Sequence, residues 1–392
     1  MTLKYLLLSL LCISPIFSLQ FNSSTKEFTI LQLTDMHFGM SADADIDLKS
    51  QELQRKLIDM VKPDLVVITG DGAQRQKGTK RTAGWFEKIW KAFTLPIVEA
   101  GLPYIYTLGN HDDEGDLDRV GITLLDQTNP LSLRGVSEGI ENTTNFYVPV
   151  YSSQDSTQLA ANLWVFDSGS KSCEGYEDGY GCIVSDAIDW YNTKSHELRE
   201  EHGENVHHLA FFHIAIPEYL EMRNNYEIYG IAKERVCCPL VNTGFFDAVK
   251  RNGDISAMFV GHDHYNDFGG FYEGVELAYG RKSGYGSYGN MRGARVIKLK
   301  ENSDSEGNLS VTRDHYVIDE SGSIEYTTPV NKMKKTQDSC PSFKTVAPPV
   351  ETPSSDDTPS LEDPFNSLDS GRVSTYSQII LFVIGFVLFC SM

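Results

Sequence analysis

Five short apolar runs, each followed by an acidic, imidazole or amide side chain, constrain this chain more than any other feature of its sequence. Runs of four to six residues rich in aliphatic and aromatic side chains are typical of strands buried on both faces. Longer stretches with helical spacing separate several of these runs, which predicts a layered α/β fold. The five predicted strands cover residues 28–33, 65–69, 104–108, 208–212 and 257–260.

The polar side chains that follow these strands are expected to lie together, because ligands of open α/β sheets bind at the carboxyl ends of the strands. Neutral imidazoles and carboxylates together suit two divalent or mixed-valence metal ions, Fe, Mn or Zn. Asp71 can bridge two cations with its two oxygens, and a glycine before Asp71, Asn110 and His262 allows a sharp turn at each ligand. The predicted ligands are Asp35, His37, Asp71, Asn110, His213, His262 and His264.

Each of these motifs has an ordinary structural interpretation when it is taken alone. Gly70-Asp71 is a common turn, and His213 alone would be interpreted as a hydrogen-bonded core histidine. Their conjunction, each at the end of a strand, is what a purely structural role does not explain. Two metal ions about 3.5–4 Å apart clamp the attacking and leaving oxygens of a transferred phosphoryl group and lower the pKa of a bound water. The pattern therefore predicts phosphate ester hydrolysis, with metal-bound hydroxide as the nucleophile.

The remaining elements are predicted from the same alternation. Residues 295–326 contain no comparable helical pattern and are expected to form closing antiparallel strands. Further strands are predicted at residues 163–167 and 275–278, and helices at residues 48–61, 85–100, 185–201 and 245–251.

Both ends of the chain resemble targeting segments. Residues 1–18 have a basic start, an apolar core and a small-residue exit, which predicts a secretory signal peptide, with a buried helix as the alternative. Residues 19–327 are predicted to form the catalytic domain, and residues 328–378 a disordered stalk rich in Pro, Ser, Thr and Asp. Residues 379–392 form an apolar tail, either a GPI-anchor signal or a short membrane anchor. We therefore expect a secreted protein held at the cell surface through its C-terminus, with a lysosome or vacuole as the alternative location.

Cysteines and charge agree with that location. Glycines between Cys173 and Cys182 let the chain turn back, so a disulfide between them is expected, and Cys340 is a candidate to tie the stalk to the body. Glycosylation triplets begin at residues Asn22, Asn142 and Asn308. The net charge of -20 argues against nucleic acid as a bulk partner, and an anionic substrate therefore needs local positive charge, which metal ions supply.

The five blocks Asp-x-His, Gly-Asp, Gly-Asn-His-Asp, His and Gly-His-x-His resemble the motifs of the calcineurin-like metallophosphoesterase superfamily. Further stretches resemble the plant probable inactive purple acid phosphatases and their fungal relatives. The resemblance implies a four-layer αββα sandwich, two mixed sheets flanked by helices. It also implies that His111 lies beside the leaving group and acts as general acid or transition-state stabiliser. It assigns one metal to Asp35, His37, Asp71 and His264, and the other to Asp71, Asn110, His213 and His262.

Two departures from the purple enzymes matter. Gln74 stands where their tyrosine ligand lies, and His37 where they have glycine, so no purple ferric site is expected. Protein phosphatases of the superfamily place at the position of Gln74 an aspartate that orients the catalytic histidine, which leaves Asp112 as a candidate for that role. A glycine-rich loop with Arg281, Lys282, Tyr285 and Tyr288 is a candidate to contact substrate, or else an ordinary surface loop.

The resulting hypothesis is a hydrolase that prefers phosphomonoesters. One alternative is a phosphodiesterase acting on nucleotides or lipid head groups. The other is a surface binding protein that keeps the fold without turnover.

Overall fold

The computed structural model describes residues 18–134, 144–326 and 337–342 of the chain. The strands are β1 Leu19–Gln20, β2 Glu27–Leu33, β3 Leu65–Thr69, β4 Tyr104–Thr107, β5 Phe146–Tyr151, β6 Leu159–Val165, β7 Lys171–Cys173, β8 Tyr176–Tyr180, β9 His207–Phe211, β10 Ile228–Tyr229, β11 Ile255–Val260, β12 Gly269–Tyr272, β13 Val275–Tyr279, β14 Gly293–Ser303, β15 Leu309–Asp319 and β16 Ile324–Tyr326. The helices are α1 Ala44–Val61, α2 Trp85–Glu99, α3 Arg119–Asp126, α4 Ser185–His202, α5 Pro217–Asn225 and α6 Phe245–Asn252, with a 3₁₀ turn at Asp112–Glu114.

Local chemistry explains where several helices begin and end. The Asp43 side chain accepts a hydrogen bond from the backbone of Asp45 and caps the start of α1, and Lys62 ends that helix in the left-handed conformation. Pro217 begins α5, where its missing N–H costs nothing. Gly203 and Gly253 follow the ends of α4 and α6, both with positive φ.

Two large mixed sheets form the centre of the fold. One sheet has the strand order β1-β5-β6-β9-β11-β13-β12-β10, and the other has the order β16-β15-β14-β2-β3-β4. Strands β6, β9, β11 and β13 run parallel in the first sheet, as do β2, β3 and β4 in the second. A separate hairpin, β7-β8, lies outside both sheets.

Alternating side chains on the central strands pack in opposite directions. On β3, Val67 packs between the two sheets, whereas Ile68 packs under α1 and α2. On β9, Leu209 likewise faces the other sheet, whereas Ala210 packs under α4 and α6. Because both faces of each sheet are covered, these strands are apolar throughout. The four layers are helix, sheet, sheet and helix, so the predicted αββα sandwich is confirmed.

The strands and helices predicted from the sequence are also present. Strand β3 covers the predicted residues, and the other predicted strands and helices differ only at their ends. Residues 295–326 lie within the antiparallel strands β14, β15 and β16, as expected. The structure adds β5, the β7-β8 hairpin, α3 and α5, which the sequence analysis did not predict.

Two disulfides are present among the described residues: one closes a short loop, and the other joins segments far apart in the sequence. Cys173–Cys182 is confirmed, and Cys238–Cys340 joins residues 337–342 to the body. Cys237 forms no disulfide with the described cysteines. The chain divides by internal contacts into units of Met1–Val346 and Ala347–Met392.

The targeting segments stay predictions. The signal peptide up to residue 17, the triplet at Asn142, the tail and the stalk apart from residues 337–342 lie outside the described residues. Within the described ranges, no helix has the length and apolar character needed to cross a bilayer.

Candidate metal centre

The carboxyl ends of five strands from both sheets bring the predicted ligands together. Strand β2 leads into Asp35 and His37, and β3 into Asp71. Strand β4 leads into Asn110. The other sheet supplies His213 after β9, and His262 and His264 after β11. All seven side chains are buried.

Four of these residues have backbone angles that side-chain-bearing residues seldom adopt. Asp35, His37, Asp71 and His262 have φ values of 53°, 52°, 50° and 83°. Each left-handed residue costs on the order of 1 kcal/mol or more and persists only where the surroundings enforce it. The strain aims side chains inward from the ends of the strands, as expected at a functional site.

The glycines that precede three of the ligands are required because neighbouring atoms lie too close to leave room for a Cβ. A Cβ on Gly109 would lie 2.1 Å from Asp71 Oδ1, and one on Gly261 would lie 2.0 Å from Thr34 Oγ1. Gly70 also has a positive φ of 85°. A larger residue at any of these positions would displace the ligand loops, which agrees with the turn predicted before each ligand.

Six of the ligands form two groups, in each of which the ligand atoms lie within 4.8 Å of one another. In the first group, His37 Nε2 lies 2.9 Å from His264 Nε2, which is 3.5 Å from Asp35 Oδ1. The second group is Asp71, His213 and His262. Asp71 Oδ2 lies 3.7 Å from His37 Nε2 and 3.3 Å from His213 Nε2, so it lies between the groups.

Asn110 and two backbone carbonyls complete the surroundings of the imidazoles. Asn110 Oδ1 lies 3.1 Å from His213 Nε2. His213 Nδ1 donates to Thr69 O at 2.8 Å, and His264 Nδ1 donates to Tyr288 O at 2.9 Å. Because a carbonyl only accepts, these bonds place the proton on Nδ1 and leave each Nε2 free to bind a metal.

The electrostatics favour cations at this position. Burial raises the pKa of Asp35 and of Asp71, but the histidines beside them, His264 and His213, outweigh burial and hold both pKa values below their ordinary range. Burial lowers the pKa of His213, but Asp71 outweighs it and raises that pKa to about 9. Burial lowers the pKa of His262 to about 3. The site therefore holds two buried carboxylates and an imidazole nitrogen on which a metal ion competes with a proton.

The residues fit a pair of divalent metal ions. His262 Nε2 is buried without a hydrogen-bond partner in the described part of the chain, as expected for a nitrogen whose partner is a metal. Mixed nitrogen and oxygen donors of this kind suit Fe, Mn or Zn.

His111 lies at the edge of this cluster. Its backbone N–H donates to Asp71 Oδ1 at 2.8 Å, and its side chain keeps 30% of its surface exposed. Its Nδ1 lies 2.8 Å from Glu114 Oε1 and 3.1 Å from Gln74 Nε2. Burial lowers the pKa of His111, but Asp71 and Glu114 outweigh it and raise that pKa. Gln74 Nε2 also lies 3.5 Å from His111 Nε2, the nitrogen that the contact with Glu114 leaves available to a bound molecule.

Glu114, and not the candidate Asp112, is the acid that contacts the His111 ring. Asp112 is fully buried and accepts hydrogen bonds from the backbone N–H groups of Asp71, Ala73 and Gly109, so it holds the ligand loops. No contact between Asp112 and the His111 ring is present. The spacing of Glu114, three residues after His111 in a 3₁₀ turn, was the available signal, because residues at that spacing share one face.

The glycine-rich loop divides into residues near the cluster and residues remote from it. Arg281 pairs with Asp267 and Glu325, and the Tyr285 hydroxyl donates to Glu320 at 2.7 Å. Neither Arg281 nor Tyr285 is hydrogen-bonded to a predicted ligand among the described residues, because both side chains are engaged by these acids.

Other residues of that loop do contact the ligands. Lys282 Nζ donates to Asp35 O at 2.8 Å, and burial lowers the pKa of Lys282 to about 7. The Tyr288 ring stacks on His264 with 4.0 Å between centroids. The sequence analysis did not predict Tyr180, whose ring meets that of His262 edge-on at 4.4 Å. Tyr180 ends the hairpin that the Cys173–Cys182 disulfide closes, so the disulfide positions a wall of the site.

Comparison with known proteins gives the following similarities. The family described as calcineurin-like phosphoesterase matches residues 28–266. The Arabidopsis thaliana protein named probable inactive purple acid phosphatase 29 is 31% identical over 77% of this chain and 86% of its own length. Phosphatase DCR2 of Saccharomyces cerevisiae is 27% identical over 62% of this chain and 45% of its own length. A solved dimetal phosphatase of Danio rerio has a TM-score of 0.47 at 12% identity and covers 73% of this chain and 98% of that chain.

Proposed function

The chain belongs to the calcineurin-like phosphoesterase family, and from this premise we propose that it hydrolyses phosphate esters, monoesters in preference to diesters. The observation that carries the proposal is the convergence of two buried ligand groups on Asp71, with His111 at their exposed edge. The proposed ligands are the seven predicted from the sequence, and Fe, Mn or Zn are the proposed metals. When bound, two metal ions supply Lewis acidity and lower the pKa of a water molecule.

The side chains around the ligands have distinct proposed tasks. Thr69 O and Tyr288 O hold the imidazole tautomers that leave Nε2 available. Asp112 holds the loops that carry Asp71 and Asn110 through its three backbone hydrogen bonds. Water attacks phosphorus directly, without a covalent phosphoenzyme. The buried carboxylates balance the positive charge of the metal ions and do not contact the substrate.

His111 is the proposed general acid. Glu114 accepts from Nδ1–H, so the imidazolium is stabilised and its Nε2 proton faces the leaving oxygen. Positive charge at this edge also attracts the phosphate group to the metal centre.

Metal analysis combined with kinetics tests this function. Asp71→Asn should remove at least one of two metal ions per chain and lower kcat for p-nitrophenyl phosphate by more than a thousandfold. Asp59→Asn, which changes an exposed acid on α1, is the matched control and should behave like the parent protein. Unchanged metal content and unchanged rate in Asp71→Asn would contradict the proposal.

Substrate preference is tested on the same preparations. The rate with p-nitrophenyl phosphate should exceed that with bis(p-nitrophenyl) phosphate by at least tenfold. Comparable rates would favour a phosphodiesterase. Bound metal with no turnover of either ester would favour a binding protein that keeps the fold.

We also propose that the chain passes through the secretory pathway. Two disulfides support this proposal, because such bonds persist in oxidising compartments. Asn22 and Asn308 lie on the surface, where a glycan can be attached. Treatment of the natural protein with an N-glycosidase should lower its mass, and Asn22→Gln combined with Asn308→Gln should reduce that change.

A further inference from the structure

A cavity of about 460 Å³ lies beside the loop that carries His264, and it is lined by three cations. They are Arg223 near the end of α5, and Lys233 and Arg235 in the segment between β10 and α6. The acids that also line the cavity are Glu234 and Asp338. Within the described ranges, no acid forms a salt bridge with any of the three cations, and Arg235 Nη2 donates to Ser339 O at 3.4 Å.

Arg223 is the unusual member of this group. Only 8% of its surface is exposed, and its Nε and Nη1 atoms are buried without a hydrogen-bond partner among the described residues. Buried guanidinium groups are almost always paired, because an uncompensated buried charge is costly. Burial accordingly lowers the pKa of Arg223. Tyr279 and Asp263 act against this effect of burial, and an anion in the cavity would offset a further part of the cost.

One of the two acids of the cavity, Glu234, already accepts hydrogen bonds from another loop. Glu234 Oε1 accepts from the Tyr288 hydroxyl at 2.6 Å, and Glu234 Oε2 accepts from the backbone of Tyr265 at 3.0 Å. Both carboxylate oxygens of Glu234 therefore accept hydrogen bonds from the loop that carries His264. The His264 ring stacks on Tyr288 of the same loop. Glu234 therefore connects the lining of the cavity to the loop that carries His264.

The opposite wall of the cavity is built and held in place. Gln337 bonds through its side chain to both backbone groups of Val236, at 2.8 and 2.9 Å. Its backbone bonds to the side chain of Asn224, the residue after Arg223. The Cys238–Cys340 disulfide fastens the same segment. A wall tied at three places keeps the space beside Arg223 open, as expected for a preformed binding site.

We propose that this cavity binds a phosphate-type oxyanion through the guanidinium of Arg223, with Lys233 and Arg235 supplying further positive charge. A guanidinium donates charge-assisted hydrogen bonds to the oxygens of such an anion, and the three cations outnumber the two acids of the lining, which leaves the cavity with a net positive charge. The anion is either inorganic phosphate or a second phosphoryl group of a larger ligand. The site depends on neither the metals nor the proposed hydrolysis.

Equilibrium dialysis of the metal-loaded protein against radiolabelled inorganic phosphate tests the site. The parent protein should bind two phosphates per chain, one at the metal centre and one in the cavity. Arg223→Gln and Asp71→Asn should each bind one, and Arg55→Gln, which removes an exposed arginine paired with Glu99, should still bind two. If the metal centre binds no phosphate but the cavity does, the parent binds one and Arg223→Gln none. Equal binding by Arg223→Gln and the parent overturns the cavity proposal.

Thermal melting separates binding from a folding defect. Without phosphate, Arg223→Met should melt above the parent protein, because it removes an unpaired buried charge. Adding phosphate should raise the melting temperature of the parent by more than that of Arg223→Met, because only the parent gains a bound ligand in the cavity. An equal gain in the two proteins overturns the proposal, whichever melts higher.

Kinetics with two sugar phosphates distinguishes the two sources of the anion, and this measurement alone rests on the proposed hydrolysis. If the site takes a second phosphoryl group, Arg223→Gln should raise KM for fructose 1,6-bisphosphate at least tenfold relative to KM for fructose 6-phosphate. If it takes free phosphate, that ratio should stay constant and inhibition by added phosphate should weaken at least twofold. If Arg223→Gln leaves both the KM ratio and the phosphate inhibition unchanged, the proposal is overturned.

Discussion

Beside the metal centre, His111 and Glu114 depend on each other. The 2.8 Å contact between Nδ1 and Oε1 determines both the tautomer of the imidazole and the direction of its other nitrogen. Gln74 lies at the same nitrogen but carries no charge, so it cannot replace the carboxylate. Glu114 is therefore a positioning residue for the proposed general acid.

Glu114→Ala should lower kcat by about 10- to 100-fold for alkyl phosphates, whose leaving groups need a proton, and by less than threefold for p-nitrophenyl phosphate. KM should change little, because Glu114 does not contact the metal ligands. Asp113→Ala, which removes the neighbouring acid near Arg119, is the control and should leave both rates unchanged. Equal losses for good and poor leaving groups would show that Glu114 has only a structural role, and partial recovery in Glu114→Asp would support positioning.

At the scale of single elements, β6 and β9 are joined by a hydrogen bond that requires a neutral histidine. Trp164 Nε1–H donates to His208 Nδ1 at 2.9 Å, and burial lowers the pKa of His208 to about 4. The unfolded chain binds this proton near pH 6.5, whereas the folded chain does not. The contribution of His208 to stability is therefore complete above about pH 6.5 and is lost as the pH falls toward 4.

His208→Gln should weaken this pH dependence, because the amide oxygen accepts from Trp164 without titrating. Between pH 7 and 4, the free energy of unfolding of the parent should fall by on the order of 3 kcal/mol more than that of the variant. Urea unfolding at several pH values measures the difference. His196→Gln, at an exposed site on α4, should follow the parent, and identical slopes for all three proteins would refute the prediction.

The two disulfides should contribute unequally, because they close loops of different length. Cys238–Cys340 spans 102 residues, and Cys173–Cys182 spans 9. Loop-closure entropy predicts losses of about 5 and about 3 kcal/mol when each pair is replaced by serine. Calorimetry of the two double variants compares them, and a larger loss for the short loop would indicate that strain or local packing dominates.

For the whole molecule, the metal centre lies where the two sheets meet. Strands β2, β3 and β4 supply four of the ligands from one sheet, and β9 and β11 supply three from the other. Metal binding should therefore stabilise the contact between the sheets as well as the site.

Chelation should lower the melting temperature of the parent protein by several degrees and speed hydrogen exchange at the carboxyl ends of β2, β3, β9 and β11. Asp71→Asn should show little further change when chelator is added, because it has already lost metal. Hydrogen-exchange mass spectrometry with and without chelator measures this effect. Faster exchange confined to one sheet would contradict a link between the two.

Local sequence patterns were enough to predict which runs are strands and which polar residues lie together at their ends. Strands buried on both faces must be apolar throughout, so β3 was predicted to its exact ends, and the polar residues after the strands were conspicuous. Strand β5 contains Pro149 and α5 has no regular apolar spacing, so neither was predicted.

Which side chains of different loops meet depends on the tertiary structure. Sequence analysis offered Asp112 as a candidate partner of His111, whereas backbone N–H groups engage Asp112 and a 3₁₀ turn brings Glu114 to the ring. The partner of Cys340 and the unpaired state of Arg223 likewise depend on segments far apart in the chain. The physical reason is one of range: local patterns specify strands, helices and the residues at their ends, but contacts between loops follow from how those elements pack.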